Sequence, residues 1–308
     1  MKSTAAAPVG VALLGWGRMG GPMGTRLIEG GHNVVAYDTS ENARRAARSV
    51  GAQLAPNAAA AVRSCSVVIT MLPTPGAVDE VARGEDGVLA GLQPGALWLE
   101  MSSSHPSITM ELSESAAQRG AGLLDAPVSG GVKGAQEGRL TIIVGGQEEL
   151  LQRARPLLGL LGGQIIHVGD RPGDGDLAKT INNMLSAINL TAAAEGMAMA
   201  RAGGLDFQRL VEVLNCSTGA SNATEVKIPN FVLTKRFDAG FTIANYLKDM
   251  RIALDLCSNE GVAVELLSAV HVLWTAAVAQ GHADDDHTMM VPFVARRSGR
   301  DLDGPDSG

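Results

Sequence analysis

Lys179 and Asn183 stand four residues apart in the run Gly173-Asp174-Gly175-Asp176-Leu177-Ala178-Lys179-Thr180-Ile181-Asn182-Asn183. On a helix that spacing points both side chains the same way, one turn apart. An amine can give and take a proton, and a carboxamide beside it can hold an oxygen in place. Lysines withdrawn from water exchange protons nearer neutrality, so the pair reads as an acid–base group with its positioning partner. The competing reading is an ordinary solvated helix lysine. Position weighs against it, because the run opens a long helix where a domain junction, and hence a cleft, is expected.

A second constellation precedes it. Gly15-Trp16-Gly17-Arg18-Met19-Gly20 is GxGxxG, set between the apolar run Val9–Gly15 and the helical pattern Met19–Glu29. The first glycine allows a tight turn, the second lets backbone approach a pyrophosphate, and the third lets helix pack on strand. Asp38 closes the next strand eighteen residues after Gly20. An acid there accepts from ribose hydroxyls and repels an extra phosphate, so NAD is expected rather than NADP. The alternative for Asp38 is a helix cap, since Thr39 and Ser40 follow.

Three further loops follow strand-like runs, where open sheets bind their ligands. Leu72 and Pro73 lie in the stiff turn Met71–Pro75, and Ser102 lies in Glu100–Ser104, within reach of the nicotinamide side of a cofactor. A rigid turn and a polar cap ahead of Pro106 explain them equally well. In Asp125–Gly131, Ser129 offers a hydroxyl, and Gly130 and Gly131 bare successive N–H groups that suit a carboxylate. Lys248, followed by Asp249, is a second cation that could reach a cofactor or merely form a surface pair. No metal is expected: the histidines show no ligand spacing, and Asp284–His287 reads as a solvated loop.

Alternating elements must position these groups. Strand-like runs at 33–38, 66–72, 96–101, 122–126, 140–145 and 164–168 interleave with helical patterns at 42–49, 106–119 and 148–161. That alternation implies crossover connections and a largely parallel sheet. From Asp174 to Ala202 one proline-free helix is expected, with further helices at 207–214, 244–258 and 264–280 and no convincing strand pair. The expected organisation is a dinucleotide-binding α/β domain over 8–170, an all-α domain over 171–296, and a disordered tail over 297–308.

Bulk composition excludes several classes. A formal net charge of −7 argues against a nucleic-acid surface. The three scattered cysteines form no CxxC and no disulfide framework, which suggests a reducing compartment. The N-terminus lacks the apolar core of a signal peptide and no run spans a membrane, so a cytoplasmic protein is expected.

Four blocks in order resemble the β-hydroxyacid dehydrogenases: GWGRMGGPM at 15–23, DAPVSGG at 125–131, GDGDLAKTINN at 173–183 and YLKDMRIAL at 246–254. The resemblance covers the chain from about Val9 to Val294. It implies a Rossmann-type domain followed by an all-helical domain, assembled as homodimers or homotetramers. It further implies Lys179 as the catalytic acid/base, Asn183 as its neighbour on the substrate, and Ser129, Gly130 and Gly131 on the substrate carboxylate. Lys248 would line the closed cleft. Trp16 and Glu100 depart from the common pattern, and the acids Asp174 and Asp176 ahead of Lys179 are unusual. The expected reaction is NAD-dependent interconversion of a small β-hydroxy acid, 3-hydroxyisobutyrate-like, with its semialdehyde or keto acid. Reduction of an imine or short semialdehyde on the same fold, and NAD binding without catalysis, are the alternatives.

Overall fold

A computed structural model describes residues 8–302. The chain divides into two units, the first ending at Lys179 and the second beginning at Thr180. The division falls inside the long helix, rather than ahead of it at 170.

Among the described residues the first unit holds nine strands: β1 (Gly10–Leu14), β2 (Asn33–Tyr37), β3 (Gln53–Leu54), β4 (Val67–Thr70), β5 (Leu97–Glu100), β6 (Gly122–Asp125), β7 (Val128–Ser129), β8 (Leu140–Gly145) and β9 (Gly162–Gly169). They lie in the order β3-β2-β1-β4-β5-β6-β8-β7, with β9 on β8. From β3 to β6 every pairing is parallel, as the alternation requires. The far edge departs from that expectation, because β8 runs antiparallel to both β6 and β7 while β9 is parallel to β8. Only Ala126 and Pro127 separate β6 from β7, which leaves no room for a crossover between them.

Eight helices cover the sheet: α1 (Gly20–Glu29), α2 (Glu41–Ser49), α3 (Ala58–Arg63), α4 (Pro75–Arg83), α5 (Val88–Gly91), α6 (Pro106–Ala117), α7 (Gly131–Glu137) and α8 (Glu148–Leu161). Strand residues alternate between two cores. Val11 and Leu13 join Ile69, Leu99 and Leu124 on one face. Ala12 and Leu14 join Val68, Trp98 and Leu123 on the other. Burial on both faces is why these strands read as continuous apolar runs.

α9 (Asp174–Ala202) leads into the second unit, followed by α10 (Phe207–Asn215), a π-helical stretch (Ala223–Val232), α11 (Ile243–Asn259), α12 (Glu265–Ala279) and α13 (Met290–Arg297). Ala187, Leu190, Ala194 and Met197 recur at helical spacing on α9 and pack with Leu247, Met250, Trp274 and Phe293. The disordered tail expected from 297 is corrected at its start: α13 runs through Arg297, and Leu302 packs against this core. Residues 303–308, like the N-terminal stretch 1–7, lie outside the described residues. Among the described residues no helix is long and apolar enough to cross a membrane.

Candidate active site

Each glycine of the turn Gly15–Gly20 meets a different steric environment. Gly15 has φ +97°, and a Cβ there would meet the Met71 carbonyl oxygen at 2.2 Å. Gly20 is closed against Gly15, whose oxygen would lie 1.9 Å from an added Cβ. Above Gly17 nothing lies within 4 Å, so this is the position where a ligand can approach backbone. Met19 at the N-cap of α1 makes no capping side-chain hydrogen bond, which leaves first-turn N–H groups to an anion. Arg18 is exposed beside that turn. The unusual Trp16 is buried, and its indole occupies the space vacated by Gly24, where a Cβ would fall 2.2 Å from the ring.

Asp38 links β2 to this turn. Its carboxylate accepts from Trp16 N–H at 2.7 Å and from Ser40 N–H at 2.7 Å. The cap of α2 is Ser40, not Asp38, since the Ser40 hydroxyl accepts from Ala43 N–H. Two of the roughly four acceptor sites of a carboxylate are then used, and the rest remain for ribose hydroxyls. The open Gly17, the uncapped α1 and Asp38 therefore fit NAD.

Leu72 and Pro73 follow β4 next to the same turn, with the Leu72 side chain beside Gly15. Ser102 is buried, and its hydroxyl accepts from Leu72 N–H at 2.8 Å. It thus fixes the Leu72–Pro73 loop from behind.

Beneath these loops lies a cluster the spacing did not reveal. Glu100 and Asp125 end the neighbouring strands β5 and β6 in direct register, and Asp176 enters from the first turn of α9. All three are buried. Glu100 Oε1 accepts from Ser102 N–H at 2.9 Å and from the Thr70 hydroxyl at 3.3 Å, while Oε2 has no hydrogen-bond partner. Asp125 accepts from Gly173 N–H and Asp176 N–H, both at 2.8 Å. Asp176 accepts from the Thr109 hydroxyl at 2.6 Å and Ser104 N–H at 3.4 Å. Burial pushes Glu100 up to about 7, with the Asp125 charge adding to the rise and hydrogen bonds from Ser102 and Thr70 opposing it. Asp176 is raised well above the carboxylate range by burial and by the charges of Glu100 and Asp125, and Asp125 is raised by burial. Three such carboxyls resist ionising together, so the cluster holds its protons to higher pH than exposed carboxyls do. Among the described residues no group of three or more His, Cys, Asp or Glu is arranged to hold a metal.

Ser129 ends β7, Gly130 and Gly131 have φ +124° and +63°, and α7 begins without a side-chain cap. Successive backbone N–H groups in such conformations form an anion-binding nest. No Cβ of Gly131 would meet an atom within 4 Å.

Lys179 is 7% and Asn183 6% exposed, so neither is the solvated helix residue of the competing reading. Asn183 donates from Nδ2 to Asp249 Oδ2 at 2.6 Å and accepts from Asn182 Nδ2 at 3.0 Å. One amide hydrogen remains for a ligand. Asp249 also meets Lys248 Nζ at 2.9 Å, with the aspartate side chain 4% exposed, so the pair is not a surface one. The role of Asp249 as the group that orients Asn183 is invisible in sequence, where it reads only as a neighbour of Lys248.

Residues 10–169 match the model of the NAD binding domain of 6-phosphogluconate dehydrogenase, and 173–294 match that of the NAD-binding region of NADP-dependent 3-hydroxyisobutyrate dehydrogenase. The chain is 35% identical to the NAD-dependent L-serine dehydrogenase of Pseudomonas aeruginosa, over 91% of this chain and 96% of that protein. It is 32% identical to the 2-(hydroxymethyl)glutarate dehydrogenase of Eubacterium barkeri, over 96% and 97%. A solved structure of Mycobacterium tuberculosis 3-hydroxyisobutyrate dehydrogenase with L-serine superimposes with a TM-score of 0.87 at 36% identity, covering 92% of this chain and 98% of that one. With the Rossmann-type unit, the helical unit and the four sequence blocks all in place, the chain belongs to the β-hydroxyacid dehydrogenase family and is an NAD-dependent oxidoreductase acting on CH–OH.

Proposed function

We propose that this enzyme interconverts a small β-hydroxy acid of the form HOCH2–CH(R)–COO⁻, 3-hydroxyisobutyrate-like, with its semialdehyde, using Lys179 as general acid/base. The observation that carries the reading is the buried pair Lys179 and Asn183, one turn apart on α9, with the Asn183 amide oriented by Asp249. The names of the relatives agree: 3-hydroxyisobutyrate, serine and 2-(hydroxymethyl)glutarate share a CH2OH on the carbon bearing the carboxylate and differ in R.

In this reading Ser129 and the N–H groups of Gly130 and Gly131 bind the substrate carboxylate. Asn183 gives its remaining amide hydrogen to the substrate oxygen, which holds the hydroxyl in line with Lys179. Lys179 takes the hydroxyl proton in oxidation and returns it in reduction. NAD, when bound, supplies the hydride acceptor. Gly15, Gly17, Arg18, Met19 and Gly20 hold its pyrophosphate, Asp38 its ribose, Leu72, Pro73 and the Ser102-fixed loop its nicotinamide side, and Lys248 completes the cofactor contacts. Orientation and proton transfer supply most of the rate.

Exposed apolar side chains extend the reading to assembly. Ile181 (46% exposed), Leu185 (48%) and Met199 (76%) on α9 and Leu266 (71%) and Val272 (69%) on α12 are too many large apolar side chains for a solvated surface. They support a homodimer or homotetramer formed through helical parts; light scattering of the purified protein reads the state, and a monomer at micromolar concentration contradicts it.

NADH formation over a panel of β-hydroxy acids, with NAD and NADP in parallel, tests the chemistry. Turnover with NAD on an HOCH2–CH(R)–COO⁻ acid supports the reading. NAD binding with no turnover on any member replaces it with imine or semialdehyde reduction, or with a non-catalytic role.

A further inference from the structure

Glu100, Asp125 and Asp176 are buried where β5, β6 and the first turn of α9 come together, and their hydrogen bonds set them apart. Asp125 accepts Gly173 N–H on Oδ1 and Asp176 N–H on Oδ2, both at 2.8 Å. Burial raises Asp125, yet these backbone donors act the other way, so it is the member best held as an anion.

Glu100 is built differently. Trp98 Nε1–H donates to the Thr70 hydroxyl at 2.9 Å, which leaves the Thr70 proton to point at Glu100 Oε1. Ser102 N–H donates to the same oxygen at 2.9 Å. Oε1 is therefore the accepting end of this side chain. Oε2 is buried and meets no donor among the described residues. A bare charge in such a place is costly, and a proton on Oε2 removes the cost.

That proton needs an acceptor, and Asp176 offers one. Its Oδ2 accepts the Thr109 hydroxyl at 2.6 Å, but Oδ1 has only a long 3.4 Å contact from Ser104 N–H. After burial, the charge of Glu100 raises Asp176 most, ahead of that of Asp125.

The surrounding elements add few other charges. β6 presents Asp125, β4 the neutral Thr70, and α6 the Thr109 hydroxyl, while His105 at the N-cap of α6 bonds to Ser107. Asp174, on the same turn as Asp176, accepts instead from the N–H and the guanidinium of Arg171, at 3.2 and 3.1 Å. Lys179 lies in the same unit as the three carboxyls. It follows Asp176 by one turn, so what holds Asp176 also directs Lys179.

We propose that Glu100 and Asp176 share one proton, and that the bridge so formed between β5 and α9 holds Lys179 in its working position. The inference rests on Lys179 as the general acid/base. Glu100 and Asp176 are positioning residues that act through it. Loss of the shared proton sets three negative charges against one another in a buried place and loosens the first turn of α9 from β5. Turnover then falls on the alkaline side, whereas NAD keeps its glycine turn.

NADH formation measured from pH 7 to pH 9 tests the bridge. Glu100→Gln donates to Asp176 from an amide that has no proton to lose. Its kcat relative to wild type should rise about tenfold across this range, with KM for NAD following wild type. Asp176→Asn should shift the ratio the same way. Glu100→Ala, which donates nothing, should lower kcat at pH 7 by more than Glu100→Gln does. A Glu100→Gln to wild-type ratio that stays constant with pH overturns the bridge. Infrared difference spectra of the wild-type protein between pH 6 and pH 9 need neither turnover nor a folded variant. The C=O stretch of a protonated buried carboxyl should be present at pH 6 and fade towards pH 9, and its absence at pH 6 also overturns the bridge. Either of those results with Lys179→Met inactive sinks this inference alone. A Lys179→Met enzyme that turns over like wild type removes the role of Lys179, and the positioning claim with it.

Discussion

The backbone N–H of Asp176 donates to the Asp125 carboxylate at 2.8 Å, fastening the first turn of α9 to the end of β6. Gly173 N–H donates to the other oxygen of the same carboxylate at 2.8 Å. Lys179 follows one turn after Asp176, so its direction is set by this clamp. Both Asp125 oxygens must accept, and an amide can satisfy only one donor. Asp125→Asn should therefore cost about 1–3 kcal/mol, lowering the thermal midpoint by several degrees. It should also reduce kcat by more than it changes KM for NAD, because Lys179 loses its position while the glycine turn keeps its own. Calorimetry and initial rates check both; an unchanged kcat contradicts the positioning role.

The buried carboxyls make stability depend on pH with a definite sign. Glu100 is raised from its usual 4.5 to about 7 in the folded protein. Between those values the folded state keeps a proton that the unfolded chain has released, so stability falls as pH rises through this window and levels off above it. At about 1.4 kcal/mol per pH unit across the window, the loss is roughly 3 kcal/mol. Asp125 and Asp176, raised in the same direction, add to the slope. Glu100→Gln, which keeps an acceptor for Ser102 N–H, should lack the Glu100 part. Urea unfolding between pH 4.5 and 8 should show the variant gaining on wild type as pH rises, and parallel curves would count against the protonated cluster.

Two glycines of one turn should fail in different ways. Gly20→Ala forces a Cβ to within 1.9 Å of the Gly15 oxygen, a backbone clash that should cost about 1–3 kcal/mol or more. Gly17→Ala meets nothing within 4 Å and should leave the thermal midpoint nearly unchanged while weakening NAD binding by tenfold or more. Thermal scans with and without NAD separate the two; equal destabilisation by both would refute the division of labour.

Much of this was legible in sequence because it is local. Apolar runs marked the strands β1, β2, β4, β5, β6, β8 and β9, and the proline-free stretch marked α9 from Asp174 to Ala202. The glycine turn could be read residue by residue, since each glycine answers a steric demand of a known loop. What escaped is tertiary. Glu100, Asp125 and Asp176 are distant in the chain, and only β5–β6 pairing and the entry of α9 bring them together. Pro229 hid the π-helical stretch, and with it the meeting of Lys227 with Ser186 and Tyr246. The antiparallel β8 follows a two-residue β7 too short to show any alternation.

In the proposed reaction one proton and one residue, Lys179, lie at the centre. Lys179→Met, an unbranched replacement without the amine, should bind NAD as wild type does yet oxidise the preferred β-hydroxy acid at least about a hundredfold more slowly in kcat. NADH formation by the two enzymes, each with its NAD affinity measured by fluorescence titration, is the direct comparison. A large fall in kcat with NAD binding intact is the predicted result, and turnover within a few-fold of wild type would contradict the role given to Lys179.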